Sequence, residues 1–112
     1  MHALATLNDV QYVEAARLLA QRVLAEAKSP DERLDLMLRI VLARRPTQEE
    51  RTVLSASLDR LEREYSADAA AAQSLLSAGE SPRNEQLDPA RHAALTALCL
   101  ALLNLDEALS KE

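Results

Sequence analysis

Residues 101–109 decide the fold, and they are Ala101-Leu102-Leu103-Asn104-Leu105-Asp106-Glu107-Ala108-Leu109. Leu and Ala are strong helix formers, and only three of these nine residues are polar. The same bias runs through the whole chain, because 22 of its 54 hydrophobic residues are Leu and 21 are Ala. Phe and Trp are absent, and β-branched apolar residues are few. Since strands favour the residue types that are scarce here, the sequence predicts an all-α protein.

Capping signals divide the chain into helices. Ser29-Pro30-Asp31-Glu32 combines an N-cap serine, a proline at the first helical position and a capping-box glutamate. Thr47 and Glu50 have the spacing of a second capping box. Asn8-Asp9 and Asp88-Pro89 are further candidate helix starts.

One segment leaves two interpretations open. Residues 48–77 form either one long helix or two, and Ser66-Ala67-Asp68 favours a break near 65–68. Gly79 is a candidate C-terminal cap. The chain is therefore predicted to be a compact bundle of four or five helices, at about 9–27, 30–43, 48–64, 67–77 and 88–110.

Hydrophobic periodicity indicates how these helices pack. The first helix presents one apolar face, and Glu14, Arg17 and Gln21 are predicted on its polar side. The second helix is apolar on most sides, which predicts a place in the middle of the bundle. The third helix has a narrower stripe and is predicted to cover the core from outside.

Charge and composition argue against several classes of function. The chain has 13 basic and 18 acidic residues, a net charge of −5, and no clustered basic face of the kind that binds nucleic acid. Arg44-Arg45 is interpreted as a solvated helix end. We see no signal peptide at the N-terminus. The longest apolar run, residues 93–103, is too short for a membrane span.

No residue pattern indicates a catalytic, cofactor or metal site. The lone cysteine, Cys99, excludes an internal disulfide and the Cys-x-x-Cys-His haem motif, and its apolar helix predicts a buried, unreactive thiol. Glu-x-x-His pairs of the di-iron bundles are missing. His92 follows the cap residue Asp88 by four positions and is predicted to face solvent, while His2 is terminal.

Asp106 is the most unusual residue of the last helix. At 100° per residue it falls near the centre of a face with Leu98, Leu102 and Leu109, and Asn104 falls on the opposite, Ala-rich side. A buried carboxylate needs partners, so we expect Asp106 to accept hydrogen bonds from an arginine or from helix-start amides. Replacing it with alanine should then cost about 1–3 kcal/mol. A structural role is preferred over an acid or metal ligand.

Several blocks of the chain resemble one family. They are Leu4-Ala5-Thr6-Leu7-Asn8-Asp9, Tyr12-Val13-Glu14-Ala15-Ala16-Arg17, Arg39-Ile40-Val41-Leu42-Ala43-Arg44-Arg45-Pro46-Thr47, Gly79-Glu80-Ser81-Pro82-Arg83 and Leu102-Leu103-Asn104-Leu105-Asp106-Glu107. Together they are similar to the C-terminal part of a planctomycete-specific domain of unknown function. One departure is Val10, where that family often has Pro after Asn-Asp.

The resemblance implies a setting rather than an activity. Domains of this kind end large exported proteins that often carry a planctomycete-type cytochrome c domain. It therefore implies that residues 1–112 are one helical domain, itself a fragment of a larger one, and that the parent protein is exported, periplasmic or in the cell envelope. Haem binding does not carry over, because its motif is missing here.

Two functional hypotheses follow. In the first, the chain is a non-catalytic helical module that packs against the rest of its parent protein or against a second copy, as a homo-oligomer. In the second, it is part of an envelope enzyme, for example one that acts on polysaccharide, in which Asp106, Glu107 or Arg83 reaches a site completed by an upstream region. The first is favoured, because the polar candidates Asn8, Asp9, Arg83, Asn104, Asp106 and Glu107 fall at caps and packing faces.

Overall fold

Five α-helices follow one another in the computed structural model, which describes the backbone of residues 10–110 and the side chains of residues 10–104. They are α1 (Val10–Glu26), α2 (Pro30–Leu42), α3 (Gln48–Ala67), α4 (Ala69–Leu76) and α5 (Pro89–Ser110). Within residues 10–110 there is no strand. The predicted all-α bundle is confirmed, and the predicted helix bounds differ from the observed ones by at most three residues.

Both predicted capping boxes are present. The Ser29 hydroxyl accepts the Glu32 amide at 3.2 Å, and the Glu32 carboxylate accepts the Ser29 amide at 3.1 Å. Thr47 and Glu50 repeat this exchange at the start of α3, at 3.1 and 2.9 Å. Each box satisfies amides that have no partner inside the helix, so α2 and α3 start where their local sequences place them.

The chain breaks between α3 and α4, as preferred from the sequence. Asp68 ends α3 and accepts the Ala71 amide at 3.0 Å, so one residue ends a helix and caps the next. The cap after α4 is Ser77 rather than Gly79, which corrects one prediction. Gly79 still has the left-handed backbone expected after a helix, with φ of 85°, but lies two residues beyond the cap.

The middle of the bundle is occupied by α5, which packs against all four other helices. Residues 92–96 are buried on every side of its first turns. The prediction that α2 lies in the middle of the bundle is wrong. Apolar residues lie on most sides of this short helix, but the other helices cover only one of its faces. Leu34, Met37 and Leu38 are buried, whereas Ile40 remains 37% exposed.

The core consists of aliphatic side chains from four helices, with α3 contributing one fully buried residue, Leu58. This agrees with a covering role for α3. The buried apolar members are Ala16, Ala20, Val23, Leu24, Leu34, Met37, Leu38, Leu58, Ala94, Leu95, Leu98, Cys99 and Leu102. A smaller cluster of Ala72, Leu76 and Ala93 attaches α4 to the start of α5. Among the described helices, none has the length and apolar character needed to cross a membrane.

Candidate functional site

Charged side chains converge where the loop after α4 crosses α1 and the start of α5. We call this region the polar junction. It is formed by Glu14, Arg17, Gln21, Arg83, His92 and the backbone of residues 78–87. Its contacts join residues that are more than 60 positions apart in sequence, so the junction fixes the loop to the helical core.

Arg17 is the central residue of the polar junction. Its side chain is 1% exposed, and it donates from Nε to the Ala78 carbonyl at 3.2 Å and from Nη2 to the Ser81 carbonyl at 2.7 Å. Nη1 has no acceptor among the described residues. Burying a guanidinium is costly unless hydrogen bonds compensate, and here backbone carbonyls supply them. The predicted exposure of Arg17 is therefore wrong.

Glu14 balances the charge of Arg17 and holds the same loop. Its Oε2 lies 4.0 Å from Arg17 Nη2 and accepts the Ser81 amide at 2.8 Å. Hydrogen bonding from Ser81 lowers the pKa of Glu14, and the positive charge of Arg17 adds to this effect. The carboxylate is consequently ionised at neutral pH.

Gly79 allows the loop to approach Glu14. Its φ of 85° is one that side-chain-bearing residues rarely adopt. A Cβ at this position would also overlap the Glu14 carboxyl group. The turn therefore favours glycine, and a side chain at this position would also displace the Glu14 carboxyl group.

His92 lies under the loop and is fully buried. Its Nε2 is 3.0 Å from the Arg17 carbonyl oxygen, and its Nδ1 is 3.2 Å from Arg83 Nη1. Burial lowers the pKa of His92, and the charges of Arg83 and Arg17 lower it further, against the hydrogen bond to the Arg17 carbonyl. The prediction that His92 faces solvent is wrong, because α1 and the loop cover this turn of α5.

Arg83 closes the junction from the loop side. Besides His92, it donates to the carbonyls of Asn84 at 2.8 Å and Leu87 at 3.3 Å. Gln21 on α1 accepts the Asn84 amide at 3.0 Å. Arg83 is therefore held by its own loop and by α5, rather than directed freely toward solvent.

A groove of about 460 Å³ borders the junction. It is lined by Gln73, Leu76, Ser77, Ser81, Arg83, Glu85 and Pro89. A hydroxyl nucleophile needs a base within hydrogen-bond reach, and both His92 nitrogens already have other partners. His92 is therefore not placed to act as the base for a hydroxyl group that lines the groove.

Metal and thiol chemistry receive no support from the described part of the chain. Residues 10–104 contain no group of three His, Cys, Asp or Glu side chains placed to hold a metal ion. Cys99 is buried, as predicted, and burial raises its pKa to about 12, so the thiol remains protonated.

The polar residues singled out from sequence have varied positions. Arg83 belongs to the junction, and Asn104 is exposed on α5. Asn8 and Asp9 lie outside the described residues, and the side chains of Asp106 and Glu107 lie outside the described side chains. The expected burial of Asp106 therefore stays a prediction.

Sequence analysis missed Arg17 and His92, although weak signals existed. Arg17 precedes Leu24 by seven residues, which places the two about 20° apart around α1, at the edge of the apolar face. His92 precedes Leu95 and Cys99 by three and seven residues, which is the spacing of the buried face of α5. This spacing is compatible with a position beside the core for both residues, but it did not outweigh their polarity in the sequence analysis.

Comparison with known proteins gives a family for the chain. Neither the curated proteins nor the solved structures include a match. The profile of a family described as PSD1, protein of unknown function (DUF1553), matches residues 1–58. Those residues contain three of the blocks that carried the resemblance, and the blocks at 79–83 and 102–107 lie beyond the match. Because the match spans more than half of the 112 residues, the chain belongs to the PSD1 family of unknown function.

Proposed function

We propose that this chain is a non-catalytic helical packing and interaction module of a larger exported protein. The proposal rests on what the charged groups of the polar junction bind. Arg17, Glu14 and Arg83 bind the backbone of residues 78–87. Their hydrogen bonds therefore stabilise a loop on a helical core.

The chemistry of the junction supports a structural role. A general base needs a free lone pair that a substrate can approach, and His92 is buried with both ring nitrogens engaged. Arg17 is equally buried. Neither group is placed to contact a substrate in the adjacent groove.

Exposed apolar residues indicate where the module binds its partner. Val10, Leu18, Ile40 and Val53 are large hydrophobic residues with exposures between 37% and 63%. All four lie within residues 1–58, the part that matches the family profile. A partner that covers these side chains would remove apolar surface from water, which favours association.

Two partners fit this proposal. The first is the upstream part of the parent protein, which we take, from the family resemblance alone, to be an exported, envelope-associated planctomycete protein of the kind that often has a cytochrome c domain. The second is another copy of the chain, giving a homo-oligomer. Either partner would cover apolar surface on α1, α2 or α3.

The test is binding in trans. The purified chain is mixed with the separately expressed remainder of the parent protein, and the complex is measured by calorimetry and by light scattering. Ile40→Glu and Val53→Glu should weaken the complex at unchanged melting temperature, whereas Ser74→Glu on exposed α4 should leave it intact. Light scattering of the chain alone measures self-association. A monomer that binds no part of its parent would contradict the proposal.

A further inference from the structure

The geometry around His92 specifies the protonation state of its ring. A backbone carbonyl can only accept a hydrogen bond, so Nε2, 3.0 Å from the Arg17 oxygen, carries a proton. An arginine can only donate, so Nδ1, 3.2 Å from Arg83 Nη1, carries none. The neutral Nε2–H tautomer therefore satisfies both contacts.

A second ring proton would destroy this arrangement. It would reside on Nδ1 and point at an N–H group of Arg83, so the hydrogen bond would become a contact between two donors. It would also place a positive charge beside the Arg83 guanidinium, and the charge of Arg17 further disfavours a protonated ring. Like charges repel more strongly where burial reduces screening by water.

The other charged groups near the start of α5 do not offset that repulsion. On α1, Glu14 lies on the side of Arg17 that faces Ser81. On α5, Asp88 accepts the Arg91 amide, and Arg91 lies 4.0 Å from Glu62 of α3. The sequence of α4 has no charged residue. In the loop, Glu80 and Glu85 bond neither the ring nor Arg83. The charges that act on the ring are thus those of Arg83 and Arg17, and both disfavour its protonation.

We propose that protonation of His92 releases Arg83, and with it the loop segment of residues 83–87, from α5, which makes this part of the polar junction a pH-sensitive closure. Arg83 leaves the ring, and the loop segment that Arg83 braces through Leu87 separates from the core. Deprotonation restores the acceptor at Nδ1 and closes the loop again. The direction of the pKa shift agrees, because a neutral buried ring resists protonation until the pH falls below the ordinary value of 6.5.

The test follows the ring and the loop in one titration. Nitrogen-15 NMR of the full chain, in a His2→Gln background that leaves one histidine, is recorded from about pH 8 down to about pH 5. We expect the Nε2–H tautomer at high pH and a ring midpoint below 6.5. The amide of Asn84, which lies in the released segment and is bonded to Gln21, should shift with the same midpoint.

Two variants separate this proposal from a merely buried histidine. Arg83→Gln keeps a donor near Nδ1 but removes a charge, so the ring and loop midpoints should both rise. Arg91→Gln, at an exposed neighbouring arginine, should leave both midpoints unchanged. Loop amides that stay still while the ring titrates would overturn the proposal, and so would an Nδ1–H tautomer at high pH. The wild-type titration decides these two points even if a variant fails to fold.

Discussion

Two arginine–glutamate pairs in this molecule hold loops in opposite environments. Arg17 and Glu14 lie in the polar junction, where Arg17 is 1% exposed and bonded to loop carbonyls. Arg44 and Glu50 lie at the turn between α2 and α3, with two bonds of 2.7 Å and exposures of 48% and 38%. The exposed pair has the better ion-pair geometry, yet we expect the loss of the buried arginine to destabilise the protein more, because its partners would be left without a donor.

The largest effect should follow from Arg17→Met. Methionine fills much of the apolar volume but leaves the Ala78 and Ser81 carbonyls without their donor. Losing a buried charged donor should cost about 3 kcal/mol or more, which lowers the melting temperature by roughly 10 °C. Thermal unfolding followed by circular dichroism measures this. Arg22→Met, at an exposed residue of the same helix, should change little, and equal losses in the two variants would contradict the comparison.

Gly79→Ala should have the next largest effect. The left-handed backbone costs a residue with a Cβ about 1–2 kcal/mol, and the new methyl group would displace the Glu14 carboxylate from Ser81. Urea unfolding measures the loss. In a Glu14→Ala background the displacement is no longer possible and only the backbone cost should remain, so the penalty must shrink. An equal penalty in both backgrounds would show that the contact with Glu14 is unimportant.

Acid should weaken the two regions in different pH windows. Because the pKa of His92 is lower in the folded protein, the unfolded chain binds more protons just below neutral pH. The contribution of neutral His92 to the free energy of unfolding is therefore full above about pH 7.5 and decreases as the pH falls through 6.5. Glu50 has its pKa lowered to about 2, chiefly by the hydrogen bonds from Arg44, so its contribution is full above 4.5 and declines toward pH 2. The pKa of Glu14 is also lowered, so its protonation should contribute to the loss of stability below pH 4.5.

Unfolding free energies across this range test both windows. His92→Gln should flatten the slope between about pH 7.5 and 5.5 and leave the lower window unchanged. Glu50→Gln should reduce only the dependence of the unfolding free energy on pH below 4.5. A wild-type stability that is constant from neutral pH to about pH 5 would rule out a contribution from His92.

The smallest effect should come from Arg44→Ala. Its partner Glu50 keeps the Thr47 amide in the capping box, so the helix start survives the loss of the ion pair. Exposed pairs are screened by salt and contribute little. The melting temperature should stay close to that of the wild type, and the small difference should vanish at high salt. A loss of stability as large as that of Arg17→Met would contradict the expectation that the buried arginine contributes more than the exposed one.

The contrast also shows what sequence can predict. The capping boxes at Ser29 and Thr47 involve residues three positions apart, so their signals are complete within a short segment. The burial of Arg17 and His92 depends on a loop more than 60 residues from Arg17, whose path local patterns do not describe. Helical spacing is compatible with a position of both residues beside the core, but the contact with the loop that buries each side chain cannot be predicted from it. The central place of α5 similarly depends on tertiary packing.

Amide hydrogen exchange in the loop tests the central claim, that the polar junction holds residues 78–87 on the helical core. The Ser81 and Asn84 amides are donated to Glu14 and Gln21, whereas the Glu85 amide has no acceptor among the described residues. At about pH 7.5, Ser81 and Asn84 should exchange at least about tenfold more slowly than their intrinsic rates, and Glu85 near its own. Arg17→Met should remove the protection of Ser81. Exchange of Ser81 and Asn84 at intrinsic rates in the wild type would contradict the claim.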